Sequence, residues 1–436
     1  MRALNVGLIG MGTVGSGTYQ VLQRNKSQIE ARLGRSIQIV MVADLDVDRV
    51  RSLVHQDCRV VADAAEIIDN PDIDIVIELI GGYGIAKDMV LRAIAAGKHV
   101  VTANKALLAV HGAEIFQAAK SKGTMIGYEA SVAGGIPIIK VLREGLTANQ
   151  VNWVAGIING TTNFILTQMR EKAWGFEQAL KQAQELGYAE ADPTFDIQGI
   201  DAAHKCSIMS ALAFGIPIPF GAAYVEGITE LQAQDIQFAE QLGYRIKLLG
   251  ITKSTPQGIE VRVHPCLISE KSLLANVEGA MNAVMVNADA AGTSMYYGKG
   301  AGGEPTASAV IADLIDIARW IHVDPEHRIP ALSFQHSEKA DPPVVTINQI
   351  TSCYYLRIGV ADQPGVLAGI SSILAEAGIS VDAMIQHPAD VNRSQTQLLI
   401  LTHHVNESVM NATIAKIENL PTVLAPVVRI RKEDFN

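Results

Sequence analysis

Short apolar runs recur along the first third of the chain. They fall at residues 3–9, 37–43, 73–80, 99–102 and 124–128, and each stops at glycine or a polar cluster. Runs this short, rich in Val and Ile, fit strands buried on both faces. Helical patterns lie between them, among them residues 86–96 closed by Gly97, and residues 107–120. Strands alternating with helices of this length predict a doubly wound parallel sheet of Rossmann type. We place it at residues 1–136, with a helix at 305–322 packing back on it.

Beyond Val151 the pattern changes. Residues 151–158, 244–251, 259–267, 280–288 and 293–297 read as strands of a mainly antiparallel sheet. Pro256-Gln257-Gly258 and Ala291-Gly292 supply turns, and residues 164–172 and 176–186 read as helices, the first capped by the turn Asn159-Gly160-Thr161-Thr162-Asn163. This predicts a central α+β domain for substrate binding and dimerisation over residues 137–304. Pro325, Pro330, Pro342 and Pro343 among polar residues mark a linker over 323–350. Residues 351–436 then read as βαββαβ: strands at 354–360, 379–385, 396–402 and 423–430, helices at 368–377 and 407–417. That unit is too small for a separate enzyme and carries no acid–base cluster.

Composition narrows the class. With 436 residues, 48% hydrophobic and 18% charged, the chain suits a globular protein of two or three domains. A formal charge of −10 without a Lys/Arg run argues against nucleic acid as a partner. Cys58, Cys206, Cys266 and Cys353 are scattered, as expected of reduced thiols in the cytoplasm. The chain starts straight into a strand, so no signal peptide is expected. The uncharged stretch 206–224 is broken by Gly215, Pro217 and Pro219, which predicts a buried helix and a loop, not a membrane span.

Gly10-Met11-Gly12-Thr13-Val14-Gly15 joins the first strand to the first helix. In that setting the glycines make a tight turn, admit a pyrophosphate to the backbone and let helix and strand pack closely, with phosphate on the helix N-terminus. Asp44 ends the second strand. It suits a ribose 2′-hydroxyl or a plain turn, while nearby Arg49 and Arg51 suit a 2′-phosphate. The choice between NAD and NADP stays open. Thr102-Ala103-Asn104-Lys105 lies at a strand's carboxyl end, where such sheets bind ligands. Lys105 is a candidate for substrate or proton chemistry, against the alternative of a solvated helix-start lysine.

The densest chemistry lies between Gly187 and Lys205. Glu190, Asp192, Asp196, Asp201 and Lys205 surround Asp192-Pro193, and proline there separates two helices. Asp201 and Lys205 share a helical face. Such pairs are usually solvated and worth a few tenths of a kcal/mol. Here the helix turns apolar (Cys206, Ile208, Met209, Leu212), so Lys205 is expected to be partly desolvated, which lowers an ammonium's pKa. Acids beside an amine that moves a proton suit an amino-alcohol substrate. Two further glycine-rich stretches stand out. Glu129 through Pro137 suits a hinge or a monovalent cation held by oxygens. Gly298 through Pro305 suits a flexible loop or backbone approach to a cofactor.

On these motifs the chain resembles homoserine dehydrogenase over essentially its whole length, in the form with a C-terminal ACT domain. Asp362-Gln363-Pro364-Gly365-Val366-Leu367 is similar to the ACT signature, and Asn159-Gly160-Thr161-Thr162-Asn163 also matches. The resemblance implies NAD(P)H-dependent reduction of L-aspartate 4-semialdehyde to L-homoserine, in threonine, methionine and isoleucine biosynthesis, with threonine as effector. It makes Lys205 and Lys105 catalytic, and Glu190, Asp201 and Asp196 substrate-binding. It adds Ala103, Thr102, Gly187, Gly302 and Gly303 to the cofactor contacts of Gly10, Gly12, Thr13, Val14, Gly15, Asp44 and Lys105. It places a sodium ion on Glu129, Val132, Gly134 and Ile136, and implies a homodimer or homotetramer. The rival readings are another ACT-bearing dehydrogenase, whose chemistry would lean on histidine, and a non-catalytic amino-acid sensor.

Overall fold

The computed structural model describes residues 2–335, 342–386 and 395–435. Residues 336–341 of the expected linker and 387–394 of the C-terminal unit lie outside that description.

Six parallel strands form the first sheet, in the order Arg59–Val61, Ile37–Ala43, Leu4–Ile9, Ile75–Glu78, His99–Thr102, Ile126–Gly127. Strand order reverses between Leu4–Ile9 and Ile75–Glu78, so the ligand crevice of a doubly wound sheet opens at their carboxyl ends. Every residue of Ile75–Glu78 and His99–Thr102 is buried, which explains their unbroken apolar reading.

The helix Gly303–Trp320 lies on the helix Thr13–Arg24. A Cβ at Gly17 would stand 2.7 Å from the Gly303 carbonyl carbon, so only glycine permits this approach. Val310 and Leu314 are fully buried in one apolar cluster with Leu8 and Leu22, each contributing roughly 2 kcal/mol of burial. A helix late in the chain thereby backs the glycine turn at its beginning.

The second sheet is longer than the sequence suggested. Gly292–Lys299, Met281–Ala288, Val151–Ile157, Tyr244–Thr255 and Gly258–Ser269 are antiparallel neighbours in that order. The sheet then continues through Val428–Glu433, Thr351–Ala361, Gln395–Thr402 and Val381–Gln386. The junction is a short parallel pairing, Cys266 with Arg431 through Ile268 with Glu433. The last strand begins at Val428, later than the pattern predicts. Val423 makes only an isolated bridge to Val360, and Pro426 lacks the N–H a ladder needs. Buried charges cross the junction. Arg431 pairs with Glu226, Arg262 with Glu433, and Arg357 with Asp235, while Glu407, inside the C-terminal unit, also holds Arg431.

Candidate active site

Gly10 has φ +94°, and a Cβ there would lie 2.8 Å from the Leu79 carbonyl oxygen. A Cβ on Gly15 would lie 2.1 Å from the Gly10 carbonyl oxygen. Space beside Gly12 is open, and no side chain caps the helix that follows. The first N–H groups of Thr13–Arg24 are therefore free of a protein side-chain acceptor and face room for a pyrophosphate, so the turn fits a dinucleotide. The Gly300–Gly303 cluster closes on the same turn: a Cβ on Gly303 would lie 3.0 Å from the Thr13 carbonyl oxygen. Asp44 accepts from the Met11 N–H (2.7 Å) and the Asp46 N–H (2.9 Å), with the Arg49 guanidinium 3.7 Å away.

A residue that the sequence reading passed over ties the neighbouring strand ends together. Glu78 is fully buried. Its Oε1 accepts from the N–H of Ile80 (2.9 Å) and Gly81 (3.2 Å), and its Oε2 accepts from the Thr102 hydroxyl (2.7 Å). Thr102 Oγ1 in turn accepts from the Asn104 N–H at 3.0 Å, and Asn104 Nδ2 donates to the Gly82 carbonyl at 2.7 Å. The Thr102 hydroxyl is thus engaged inside the protein, and what it leaves toward the crevice is backbone. Asn104 Oδ1 caps the helix Lys105–Lys122 through the Leu107 N–H. Lys105 is the first residue of that helix.

Gly199, at φ +81°, starts the helix Ile200–Phe214, and its first turns carry Asp201 and Lys205 inward. Lys205 Nζ donates to Asp201 Oδ2 (2.7 Å) and to the Ile158 carbonyl (2.8 Å). Lys105 Nζ approaches the other oxygen, Asp201 Oδ1, at 2.9 Å. Asn159 Nδ2 donates to Asp201 Oδ2 (2.8 Å) and to Asp196 Oδ1 (2.7 Å). From the residues the sequence reading took Asn159 as part of a turn and cap and of a stretch that matches the family; its place before Gly160-Thr161-Thr162 gave no sign of the carboxylates it would meet.

The two lysines differ. The Lys205 side chain is 11% exposed and that of Lys105 39%. Burial disfavours the Lys205 ammonium; Asp201 opposes that and Lys105 adds to it, and the balance lies below an ordinary lysine. The Asp201 charge, against desolvation, holds Lys105 above the usual range, with Asp196 and Glu190 adding to it. Burial works against ionisation of Asp201, but the Lys205 and Lys105 ammoniums outweigh it and keep the carboxyl well below the usual range. Asp196 is raised, by burial first and then by the Asp201 charge.

His204, beside Lys205, is 1% exposed and pushed down to about 4 by burial. Its ring lies 4.4 Å from that of Phe220, and neither nitrogen has a protein hydrogen-bond partner. It packs against Phe220 and is not a proton-transfer group, so the histidine nearest the lysines does not serve the rival dehydrogenase reading.

Glu190 lies exposed on the loop before Asp192-Pro193, within charge range of Lys105. Asp192 accepts from the N–H and hydroxyl of Thr194 at the start of the short helix Thr194–Ile197, apart from the lysines. Gly187, at φ +75°, ends the helix Phe176–Glu185 and belongs to this loop; no described contact joins it to the glycine turn.

Glu129 is 3% exposed and accepts from the N–H of Ile139 (2.9 Å) and Lys140 (2.8 Å). Burial pushes it up to about 7 against those bonds. Ala133 and Gly134 have φ +56° and +51°, so the backbone doubles back beside it. The Ile136 carbonyl accepts from the Ile138 N–H. Among the described residues Glu129 makes no ion pair within 4 Å, although the Arg143 and Lys140 charges act on it; a buried carboxylate beside a doubled-back backbone fits a small monovalent cation. No cluster of three or more His, Cys, Asp or Glu suited to a metal occurs among the described residues, so a carboxylate- or imidazole-rich centre is not what this segment offers.

Three family models match the chain. One described as homoserine dehydrogenase covers residues 137–315, one described as homoserine dehydrogenase, NAD binding domain covers 10–129, and one described as ACT domain covers 354–422. A homoserine dehydrogenase of Pseudomonas aeruginosa is 52% identical, covering 100% of both chains. The crystal structure of a homoserine dehydrogenase from Thiobacillus denitrificans superposes with a TM-score of 0.95 at 55% identity, covering 100% of this chain and 99% of that one. A hyperthermophilic archaeal homoserine dehydrogenase in complex with NADPH matches at TM-score 0.63 and 26% identity, covering 74% of this chain and 99% of that one. No described helix is long and apolar enough to cross a membrane.

Proposed function

The chain belongs to the homoserine dehydrogenase family of NAD(P)-dependent oxidoreductases, and from that premise we propose that it reduces L-aspartate 4-semialdehyde to L-homoserine, reversibly, with Lys205 as proton donor. The observation that carries this reading is the Lys105–Asp201–Lys205 bridge. It joins the strand ends of the dinucleotide sheet to the first turns of an apolar helix.

The Gly10–Gly15 turn, with Gly302 and Gly303 over it, would hold the dinucleotide; the archaeal relative is in complex with NADPH. When bound, a reduced nicotinamide supplies hydride to the C4 carbonyl. The oxygen that gains charge then needs a proton. An ammonium has three N–H groups. Lys205 spends two on Ile158 and Asp201, which leaves one for the substrate oxygen. Burial has already weakened its hold on that proton. Lys105 keeps its proton more firmly and serves as a fixed positive charge for the same oxygen. Asp201 aligns both amines. Glu190 and Asp196 are the carboxylates left to receive the substrate ammonium.

Several finer features go with this reading. Threonine acts as effector through the segment that matches the ACT model, which includes the turn at Gly365, φ +92°. Sodium is held by Glu129 with the Val132, Gly134 and Ile136 carbonyls. The cytoplasm suits four unpaired cysteines. A homodimer or homotetramer would cover the outer strand Gly292–Lys299, where Tyr297 is 58% exposed.

The test is oxidation of homoserine by the purified protein with NAD and with NADP, followed by absorbance of the reduced cofactor. Absence of homoserine-dependent reduction with both would end the proposal.

A further inference from the structure

We infer that Asn159 is a positioning residue for the proton-transfer pair, holding Asp196 and Asp201 apart and aiming Lys205 through them. This rests on the reading above.

The orientation of the Asn159 amide is decided by its own helix. Its Oδ1 accepts from the Thr162 N–H at 2.8 Å and lies 3.0 Å from the Thr162 hydroxyl. A backbone N–H can only donate, so the oxygen must face it, and the NH₂ group must face the other way. Both amide hydrogens then go to carboxylates: Asp196 Oδ1 at 2.7 Å and Asp201 Oδ2 at 2.8 Å. At 4% exposure, water does not substitute for either.

Helix capping alone does not explain this residue. Serine or aspartate caps the helix Gly160–Lys172 about as well. Neither offers two donors to two acids. The amide does three things at once. It keeps two like charges at a fixed separation. It favours their ionised forms. It also pins the oxygen of Asp201 to which Lys205 donates. The residue before it, Ile158, gives its carbonyl to the same ammonium. The turn Ile158–Asn159 therefore grips both members of the Asp201–Lys205 pair, and the third Lys205 hydrogen has one direction left.

Asn159→Ser separates the two roles, because it keeps a capping oxygen and removes both donors. We expect kcat to fall roughly 10- to 100-fold from misaligned proton transfer, with the KM for NAD(P) and cofactor binding by calorimetry unchanged. The acid limb of the kcat profile should also move to higher pH. The titratable and charged groups facing Asp201 are Lys105, Lys205 and Asp196, with His204 beside them, while Glu190 acts on Lys105. Of these only the amide bonds are removed, and they favour the charged carboxylates. A serine variant with wild-type kcat and an unmoved acid limb overturns the inference while the proposed function stands. If serine unfolds the protein, the near-isosteric Asn159→Asp decides. It keeps the cap and replaces two donors with a third negative charge. A fall in kcat with a raised acid limb supports the inference; wild-type behaviour overturns it. A wild-type protein without homoserine oxidation removes both readings together.

Discussion

Lys105 and Asp201 meet across the gap between the parallel sheet and the helix Ile200–Phe214, with Nζ 2.9 Å from Oδ1. One carboxylate thereby serves two amines, since its other oxygen holds Lys205 at 2.7 Å. The two variants should separate cleanly. Lys205→Ala removes the donor and should lower kcat by about 10²–10⁴-fold with cofactor affinity kept. Lys105→Ala leaves a donor but removes a fixed charge, so kcat/KM should fall with residual turnover remaining. Steady-state kinetics in both directions checks this. Equal kcat for Lys205→Ala and wild type would exclude Lys205 as donor.

Asp201→Asn gives a pH signature. The Asp201 charge raises the Lys205 pKa against desolvation. Without that charge the Lys205 pKa drops further, and the ammonium is lost at lower pH. The alkaline limb of aldehyde reduction should therefore move down. An alkaline limb that stays in place, or moves up, in a kcat–pH profile would contradict this assignment.

A small cluster offers a test of cofactor choice. Asp44 is held by the Met11 and Asp46 N–H groups, and Arg49 also donates to the Met11 carbonyl at 3.1 Å. A 2′-phosphate would be repelled by Asp44 and attracted by Arg49; a 2′-hydroxyl needs only Asp44. Arg49→Leu should lower kcat/KM with NADP and spare NAD. Asp44→Ser should do the reverse. Each change in the ratio should be at least about tenfold, or ~1.4 kcal/mol. Ratios that do not move in either variant would put specificity elsewhere.

Much of this architecture is legible in sequence because its parts follow local rules. The strands of the first sheet are buried on both faces, so Ile37–Ala43 and Ile75–Glu78 read as apolar runs. Asp201 and Lys205 share a face by spacing alone, and Lys105 is found by the rule for strand ends. Glu78 escapes notice because an acid at the end of an apolar strand looks the same whether it is solvated or organises two turns. Asn159 reads as a cap because that half of its bonding is local, while its bonds to Asp196 and Asp201 need the tertiary fold. The pairing of Cys266 with Arg431 is likewise long-range and leaves no periodic trace.

A cation held by Glu129 would be linked to pH. Its folded pKa rises from 4.5 to about 7. Between those values the unfolded chain has lost a proton that the folded chain keeps. This contribution to stability is therefore largest at low pH and declines as pH rises through the window, by about 3 kcal/mol in the absence of a cation. A bound sodium ion would favour the carboxylate and offset that decline. Sodium chloride, compared with choline chloride, should raise the unfolding midpoint at about pH 8 and do little near pH 5. Glu129→Gln should abolish the difference. Equal midpoints in the two salts for the wild-type chain would argue against cation binding here.

The C-terminal unit is joined to the central sheet by charges that cannot be removed singly at low cost. Arg357 Nε donates to Asp235 Oδ1 at 2.6 Å, and Nη2 donates to Asp235 Oδ2 at 3.1 Å and Gln232 Oε1 at 3.0 Å. The Asp235 side chain is fully buried. Arg357→Met leaves that carboxylate without its partner, which should cost about 3–5 kcal/mol. Asp235→Leu in the Arg357→Met background removes the orphan charge and should recover most of the loss, since an apolar pair of similar volume replaces an ion pair at little net cost. If threonine is an effector and the pair transmits its binding, inhibition by threonine should be weaker in the double variant even where its unfolding midpoint is restored. The double-mutant cycle in thermal unfolding, run beside a threonine titration of activity, separates the two roles. A double variant as unstable as Arg357→Met would show that packing, not charge pairing, governs this junction.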